Sequence, residues 1–243
     1  MLESIRSTMK NRKASVMGQQ QLFRSAVLLP LVEQNGELCV LFEERAHHLN
    51  RQPGEICFPG GRIDPTDEHE LAAAIRETCE ELGLEREAVE PLGPLDYIVN
   101  SFQIIYPFVG WITDFAKIRP NLDEVASVFC VPLSYLRNTT PDLHYVDLRV
   151  TPPDDFPFDR IPHGRNYKWR SGKIPEYFYF YGDRVIWGLT ARILHHFLLV
   201  TQEERRVDGA PFVHIRESNP NCPKTALCTR KQGSKQFFGG EPS

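Results

Sequence analysis

The chain has 243 residues, a length that fits one domain with extensions. Hydrophobic residues make up 41% and aromatics 11%, enough for a core, so global disorder is excluded. Acidic residues outnumber basic ones, 32 to 28, for a net charge of −4, which gives no support to a nucleic-acid-binding surface, and the longest apolar runs are far too short to span a membrane.

Residues 1–23 are mostly polar, with Arg6, Lys10, Arg12, Lys13 and the run Gln19-Gln20-Gln21. They read as a short helix or a loose arm, and Glu3 argues against a mitochondrial presequence. A buried strand is expected at 25–32. Asn35-Gly36 is a two-residue hairpin signal, with the partner strand at 37–43. A short strand at 55–58 is expected to end at Pro59-Gly60-Gly61. From 68 to 82 the period turns helical: Leu71, Ile75, Thr78 and Leu82 share one face, and Gly83 is a C-terminal stop. Strands follow at 92–99, 104–112 and 125–131, with Pro132 ending the last. Residues 139–173, rich in Pro, Asp and Arg, read as a long loop. Tyr177-Phe178-Tyr179-Phe180-Tyr181 reads as a strand packed on both faces, and 186–199 as an apolar helix. The polar segment 202–243 reads as a poorly ordered tail. The domain proper is therefore expected at 24–201. The order of elements fits an α/β fold, a mixed sheet with helices on both faces.

Four of the six cysteines, Cys39, Cys57, Cys79 and Cys130, lie in or near apolar segments and read as buried thiols in a reducing compartment. Cys222 and Cys228 do not have a usual zinc spacing. His47-His48 and His195-His196 are adjacent pairs, which on a helix do not face one site.

The chemistry concentrates in Arg76-Glu77-Thr78-Cys79-Glu80-Glu81-Leu82-Gly83-Leu84. On a helical wheel with Leu71 at zero, Glu77, Glu80 and Glu81 fall at about 240°, 180° and 280°, one carboxylate face away from the apolar stripe. An isolated Glu-x-x-Glu-Glu is most often a solvated helix face. Adjacent carboxylates become useful when a hard cation sits among them, and Mg²⁺ is commonly shared between protein carboxylates and substrate phosphates. Arg76 can clamp one of them, and Gly60-Gly61 permits close approach of the backbone to a ligand.

This segment resembles the Nudix box: Gly, five residues, Glu, seven residues, then Arg-Glu-U-x-Glu-Glu-x-Gly-U, with U aliphatic. Arg76, Glu77, Glu80, Glu81 and Gly83 match, and Glu68 stands seven residues before Arg76. Six residues separate Gly61 from Glu68, and Thr78 occupies an aliphatic position. The run from Arg45 through Ala46, Gly54 and Phe58-Pro59-Gly60-Gly61 resembles the signature of the coenzyme A diphosphatase subfamily, with Asn50 where that pattern has Arg and Arg51 beside it. Asp64-Pro65-Thr66-Asp67 and Trp187-Gly188-Leu189-Thr190-Ala191 resemble the same group.

The resemblance implies a Nudix fold, an α/β/α sandwich with a mixed sheet, and a metal-dependent diphosphatase. It implies Mg²⁺ or Mn²⁺ held by Glu77, Glu80 and Glu81, with catalytic roles for Glu80, Arg76 and Glu124, the base being a box Glu or Glu124. It implies substrate binding by Arg45, Arg51, Gly60 and Gly61. The implied reaction turns coenzyme A or an acyl-CoA into 3′,5′-ADP and (acyl) 4′-phosphopantetheine. The alternatives are another nucleoside diphosphate derivative, such as ADP-ribose or NADH, and a non-catalytic Nudix-fold binding module. The partner is a small molecule rather than nucleic acid or membrane, and a homodimer is compatible with the reading. Glu241-Pro242-Ser243 is not a Ser-Lys-Leu address, so the expected compartment is the cytoplasm.

Overall fold

The computed structural model describes residues 1–202. Its helices are α1 (Leu2–Lys10), α2 (Glu70–Leu82), α3 (Leu133–Asn138) and α4 (Gly188–Gln202). Its strands are β1 (Phe23–Gln34), β2 (Glu37–Arg45), β3 (Ile56–Cys57), β4 (Gly60–Arg62), β5 (Val89–Pro94), β6 (Ile98–Val99), β7 (Gln103–Ile112), β8 (Val125–Pro132), β9 (Asp142–Leu148), β10 (Gly172–Tyr181) and β11 (Arg184–Ile186).

Asn35 and Gly36 both take positive φ, 54° and 77°, the backbone that a tight hairpin requires. They close β1 onto β2 in antiparallel register, Gln34 opposite Glu37. β1 runs parallel to β7, and its other pairings are antiparallel, so the main sheet is mixed. The order through it is β3-β2-β1-β7-β5, with β4 on β1, β6 on β7 and β8 on β2. Alternation along β1 and β2 divides the core. Ala26, Leu28 and Leu41 pack with Ala73, Ala74, Ile75 and Leu82 of α2. Leu29, Leu31, Val40 and Phe42 pack with Leu194, Phe197 and Leu198 of α4 on the opposite face. The α/β/α arrangement expected from the resemblance is the one found. Thr78 belongs to the buried stripe of α2, and its hydroxyl is satisfied by donating to the Ala74 carbonyl at 2.7 Å.

Several elements differ from the sequence reading. The stretch 139–173 is not one long loop. It holds β9, which pairs with Gly172 through Phe178 of a longer aromatic strand, β10. All seven residues of β9 are exposed, so no burial alternation marks it in the sequence. The strand expected at 92–99 is two strands separated by a break. Gly60 does not end the strand before it but begins β4, antiparallel to β1 with Gly60 opposite Val27. α3 follows directly on Pro132, and residues 184–186 form β11 before α4 begins. α1 has no buried residue. The tail expected at 202–243, with Cys222 and Cys228, lies outside the described residues beyond Gln202.

Candidate active site

Two glycines bring the sheet against the carboxylates of α2. Gly60 has φ 152°, and a side chain there would run into the Ala26 carbonyl and the Val27 Cα at 2.6 Å. Its amide donates to Glu81 Oε2 at 2.8 Å. A Cβ on Gly61 would fall 2.6 Å from both carboxylate oxygens of Glu77. The sheet backbone therefore lies directly on the helix face that carries Glu77 and Glu81.

At the other end of α2, Gly83 takes φ 62° and accepts the Arg119 backbone where any side chain would collide with it. The next segment folds over the helix end. Arg119 N–H donates to the Leu82 carbonyl at 2.8 Å, and Asn121 N–H donates to the Glu81 carbonyl at 2.9 Å. Its last residue is tied to the end of β2, where Ala46 N–H donates to the Glu124 carbonyl at 2.8 Å. Glu124 is thereby delivered from a loop 43 positions away to the electrostatic neighbourhood of Glu81 and Glu77.

A further carboxylate joins them. Glu43 follows Cys39 and Leu41 along the α2-facing row of β2, and it is 1% exposed. Glu81 is 3% exposed. Burial pushes Glu43 up to about 7, against a smaller lowering by the Cys57 thiol hydrogen bond and the Arg45 charge. Burial, reinforced by the Glu43 charge, pushes Glu81 up to about 9 although the Gly60 amide favours its ionised form. Burial also raises Glu77, opposed by its bond to Arg76. The Cys57 thiol donates to Glu43 Oε1 at 3.2 Å, and burial together with Glu43 keeps it protonated. These groups are more acidic in number, and drier, than the wheel suggested. Glu81 does not share a solvated face with Glu80. It turns inward, drawn by the Gly60 amide.

Arg76 is the hub of the outer side. It makes a two-point contact with Asp67, Nε to Oδ1 at 3.0 Å and Nη2 to Oδ2 at 3.1 Å. Its Nη1 meets Glu77 Oε1 at 2.9 Å and Glu80 Oε2 at 3.2 Å. Glu80 is exposed and points to Arg76, apart from the buried group. Glu68 is exposed and makes no hydrogen bond or ion pair among the described residues. Asp67, which stands at the five-residue spacing from Gly61, takes the arginine. Arg45 is half-buried and its charge reaches Glu43 and Cys57. Arg51 is exposed and unpaired among the described residues. On the opposite face of β2 a cavity of about 540 Å³ is lined by Glu44, Ile56, Phe178, Arg184 and Trp187, among others. Arg184 is stacked over Phe129 at 3.9 Å and bridges Glu44 at 3.9 Å.

The donor chemistry suits a hard divalent cation. Among the described residues, two buried carboxylates lack a cationic partner in hydrogen-bond contact, and Glu43 Oε2 has no hydrogen-bond partner. Among the described residues no three His, Cys, Asp or Glu side chains converge as a ready-made cage. Arg76 holds Glu77 to one side. An ion that keeps several waters and uses one or two carboxylates plus substrate phosphates does not need such a cage.

The NUDIX domain family model matches residues 22–168. The chain belongs to the Nudix family. It is 34% identical over 203 residues to the Peroxisomal coenzyme A diphosphatase NUDT7 of Mus musculus, covering 83% of this chain and 80% of that one. It is 32% identical over 182 residues to Nudix hydrolase 3 of Caenorhabditis elegans, covering 71% of each. A Nudix hydrolase, NudL, of Enterobacter sp. (strain 638) is 34% identical over 180 residues, covering 72% of this chain and 81% of that one. The chain is thus a Nudix hydrolase, an enzyme of diphosphate bonds in small nucleotide-type molecules, and such hydrolases use divalent metal ions. Among the described residues no helix is long and apolar enough to cross a membrane.

The sequence reading singled out Glu77, Glu80, Glu81, Glu124, Arg76, Arg45, Arg51, Gly60 and Gly61. The structure gathers all of these near the site except Arg51, which makes no hydrogen bond or ion pair among the described residues, and it sets Glu80 on the rim. Glu43 and Asp67 were not picked out. The signal for Glu43 was present, a lone carboxylate in an apolar strand row; the signal for Asp67 was the box count itself.

Proposed function

We propose that the chain hydrolyses the diphosphate of coenzyme A or an acyl-CoA to 3′,5′-ADP and (acyl) 4′-phosphopantetheine, using Mg²⁺ or Mn²⁺. The observation that carries the substrate is the 34% identity over 83% of the chain to a mouse protein named as a coenzyme A diphosphatase. In this reading Glu77 and Glu81 hold the cation, with Glu80 at the rim of the same cluster. Bound there, it supplies charge neutralisation for the diphosphate and a more acidic water. Arg76, anchored on Asp67, fixes Glu77 and Glu80 through its other nitrogen. Glu124, the most exposed carboxylate of the inner group, takes the water proton. The Gly60-Gly61 backbone passes beneath the reacting groups, and Arg45 and Arg51 meet phosphate oxygens, Arg51 being free for the 3′-phosphate. The free thiols Cys39, Cys57, Cys79 and Cys130 favour a reducing compartment, for which we take the cytoplasm.

Asn50, where the subfamily pattern has Arg, favours a second reading, a diphosphatase for ADP-ribose or NADH. The deciding experiment is to incubate the purified chain and Mg²⁺ with coenzyme A, acetyl-CoA, ADP-ribose and NADH and to identify products by mass. Release of 3′,5′-ADP with phosphopantetheine supports the first reading. Cleavage of ADP-ribose or NADH alone replaces it with the second.

A further inference from the structure

Glu43 lies outside both sequence motifs, yet it is the most deeply buried carboxylate of the site. One oxygen accepts the weak thiol donor of Cys57, directly opposite on β3. Among the described residues the other oxygen has no hydrogen-bond partner. Arg45, two residues on, is near enough for its charge to be felt but makes no hydrogen bond to Glu43, and its own Nε is buried without a partner. The remaining charged neighbours, Glu81 and Glu124, are of the same sign. A buried carboxylate with one oxygen unpaired, among like charges, is an arrangement that needs an opposite charge to complete it. A structural role does not account for it: as packing, an apolar residue continuing the Cys39 and Leu41 row would serve better.

We infer that Glu43 is a direct oxygen ligand of the divalent cation, sharing it with Glu81. The metal centre then spans β2 and α2 rather than α2 alone. This rests on the metal-dependent reading of the site, though not on which diphosphate is cleaved. The two strand neighbours have distinct tasks: Cys57 orients the Glu43 carboxylate through Oε1, which leaves Oε2 for the ion.

The test is Mn²⁺ binding to the full chain without substrate, followed by the loss of the free-ion electron paramagnetic resonance signal. Glu43→Gln and Glu81→Gln are each expected to weaken Mn²⁺ binding by about 10- to 100-fold, the range seen when the support of a metal site is altered. Glu43→Asp, which keeps the charge on a shorter stem, is expected between wild type and Glu43→Gln. Gln mimics a protonated Glu, so a merely structural neutral acid would leave Mn²⁺ binding unchanged. Wild-type affinity in Glu43→Gln, with Glu81→Gln impaired, overturns the inference and leaves the metal reading standing. Absence of Mn²⁺ binding by the wild type removes both. The melting temperature of Glu43→Gln in chelator is expected at or above wild type, since a like charge has gone. If that variant fails to fold, unchanged affinity in Glu43→Asp overturns the inference.

Discussion

The Gly60 amide and the Glu81 carboxylate, 21 residues apart in the chain, are joined by a hydrogen bond of 2.8 Å. It explains how a carboxylate can turn inward on α2. The neighbouring glycine has a different task, and the pair gives a sharp contrast. Gly60→Ala must push into the backbone of Ala26 and Val27 from a φ that side chains rarely adopt. A cost of about 2–4 kcal/mol is expected, a fall in Tm of roughly 5–15 °C. The three atoms nearest a Cβ on Gly61 all belong to the end of the Glu77 side chain, which can move. Gly61→Ala should fold with Tm within about 3 °C of wild type but lose about 10- to 100-fold in kcat, because Glu77 is displaced. Thermal melts and steady-state rates on both variants check this; equal losses of stability would refute the separation.

Glu43 and Glu81 hold protons in the folded chain at pH values where an unfolded carboxylate has released them. Burial pushes them up to about 7 and about 9, from an ordinary 4.5. Between about pH 4.5 and 9 the native state therefore binds more protons than the unfolded state, and stability falls as pH rises through that window. In chelator, Tm is expected to be lower at about pH 8.5 than at about pH 5.5, with a flatter profile in Glu81→Gln. Added Mg²⁺ should raise Tm more at the higher pH, since protons and cation compete for the same oxygens. A metal-free Tm that holds or rises between the two pH values contradicts the buried-carboxylate account.

Much of this was legible beforehand because it is local. Asn35-Gly36 and Gly83 announce backbone geometry by residue type, and the apolar period of α2 marks its core face. What escaped is what depends on a partner distant in sequence. A helical wheel places Glu81 beside Glu80, but only the β4 backbone decides that Glu81 is buried and Glu80 is not. β9 escaped because an exposed strand held by one neighbour leaves no alternation to read. Glu43 stood in plain view in an apolar row, yet its meaning comes from Glu81 and Cys57 across two other elements.

The Asp67–Arg76 pair makes the box insertion testable. Arg76 holds Asp67 below the ordinary carboxylate range, the two-point hydrogen bond being the main cause. Asp67→Asn should loosen Arg76 and, through it, Glu77, with a loss of roughly 10-fold in kcat. Glu68→Gln, at an exposed side chain with no hydrogen bond or ion pair among the described residues, should stay within about twofold of wild type. Rates that fall for Glu68→Gln and hold for Asp67→Asn would assign the position the other way.

The last prediction concerns the 3′-phosphate. If coenzyme A is the substrate, it should be cleaved in preference to 3′-dephospho-coenzyme A, because a guanidinium–phosphate contact contributes about 1.5–3 kcal/mol. That corresponds to roughly a 10- to 150-fold preference in kcat/KM. Arg45 is half-buried beside Glu43 and Asn50 carries no charge, whereas Arg51 is exposed, so Arg51 is the group placed to make the contact. Arg51→Ala should narrow the preference while leaving turnover of the dephosphorylated substrate within about twofold. Arg51 lies on the surface, so the fold should be untouched and any change assignable to substrate. Equal cleavage of both substrates by the wild type removes the 3′-phosphate contact. A preference that survives Arg51→Ala moves the contact to Arg45, where Arg45→Ala would then be expected to abolish it.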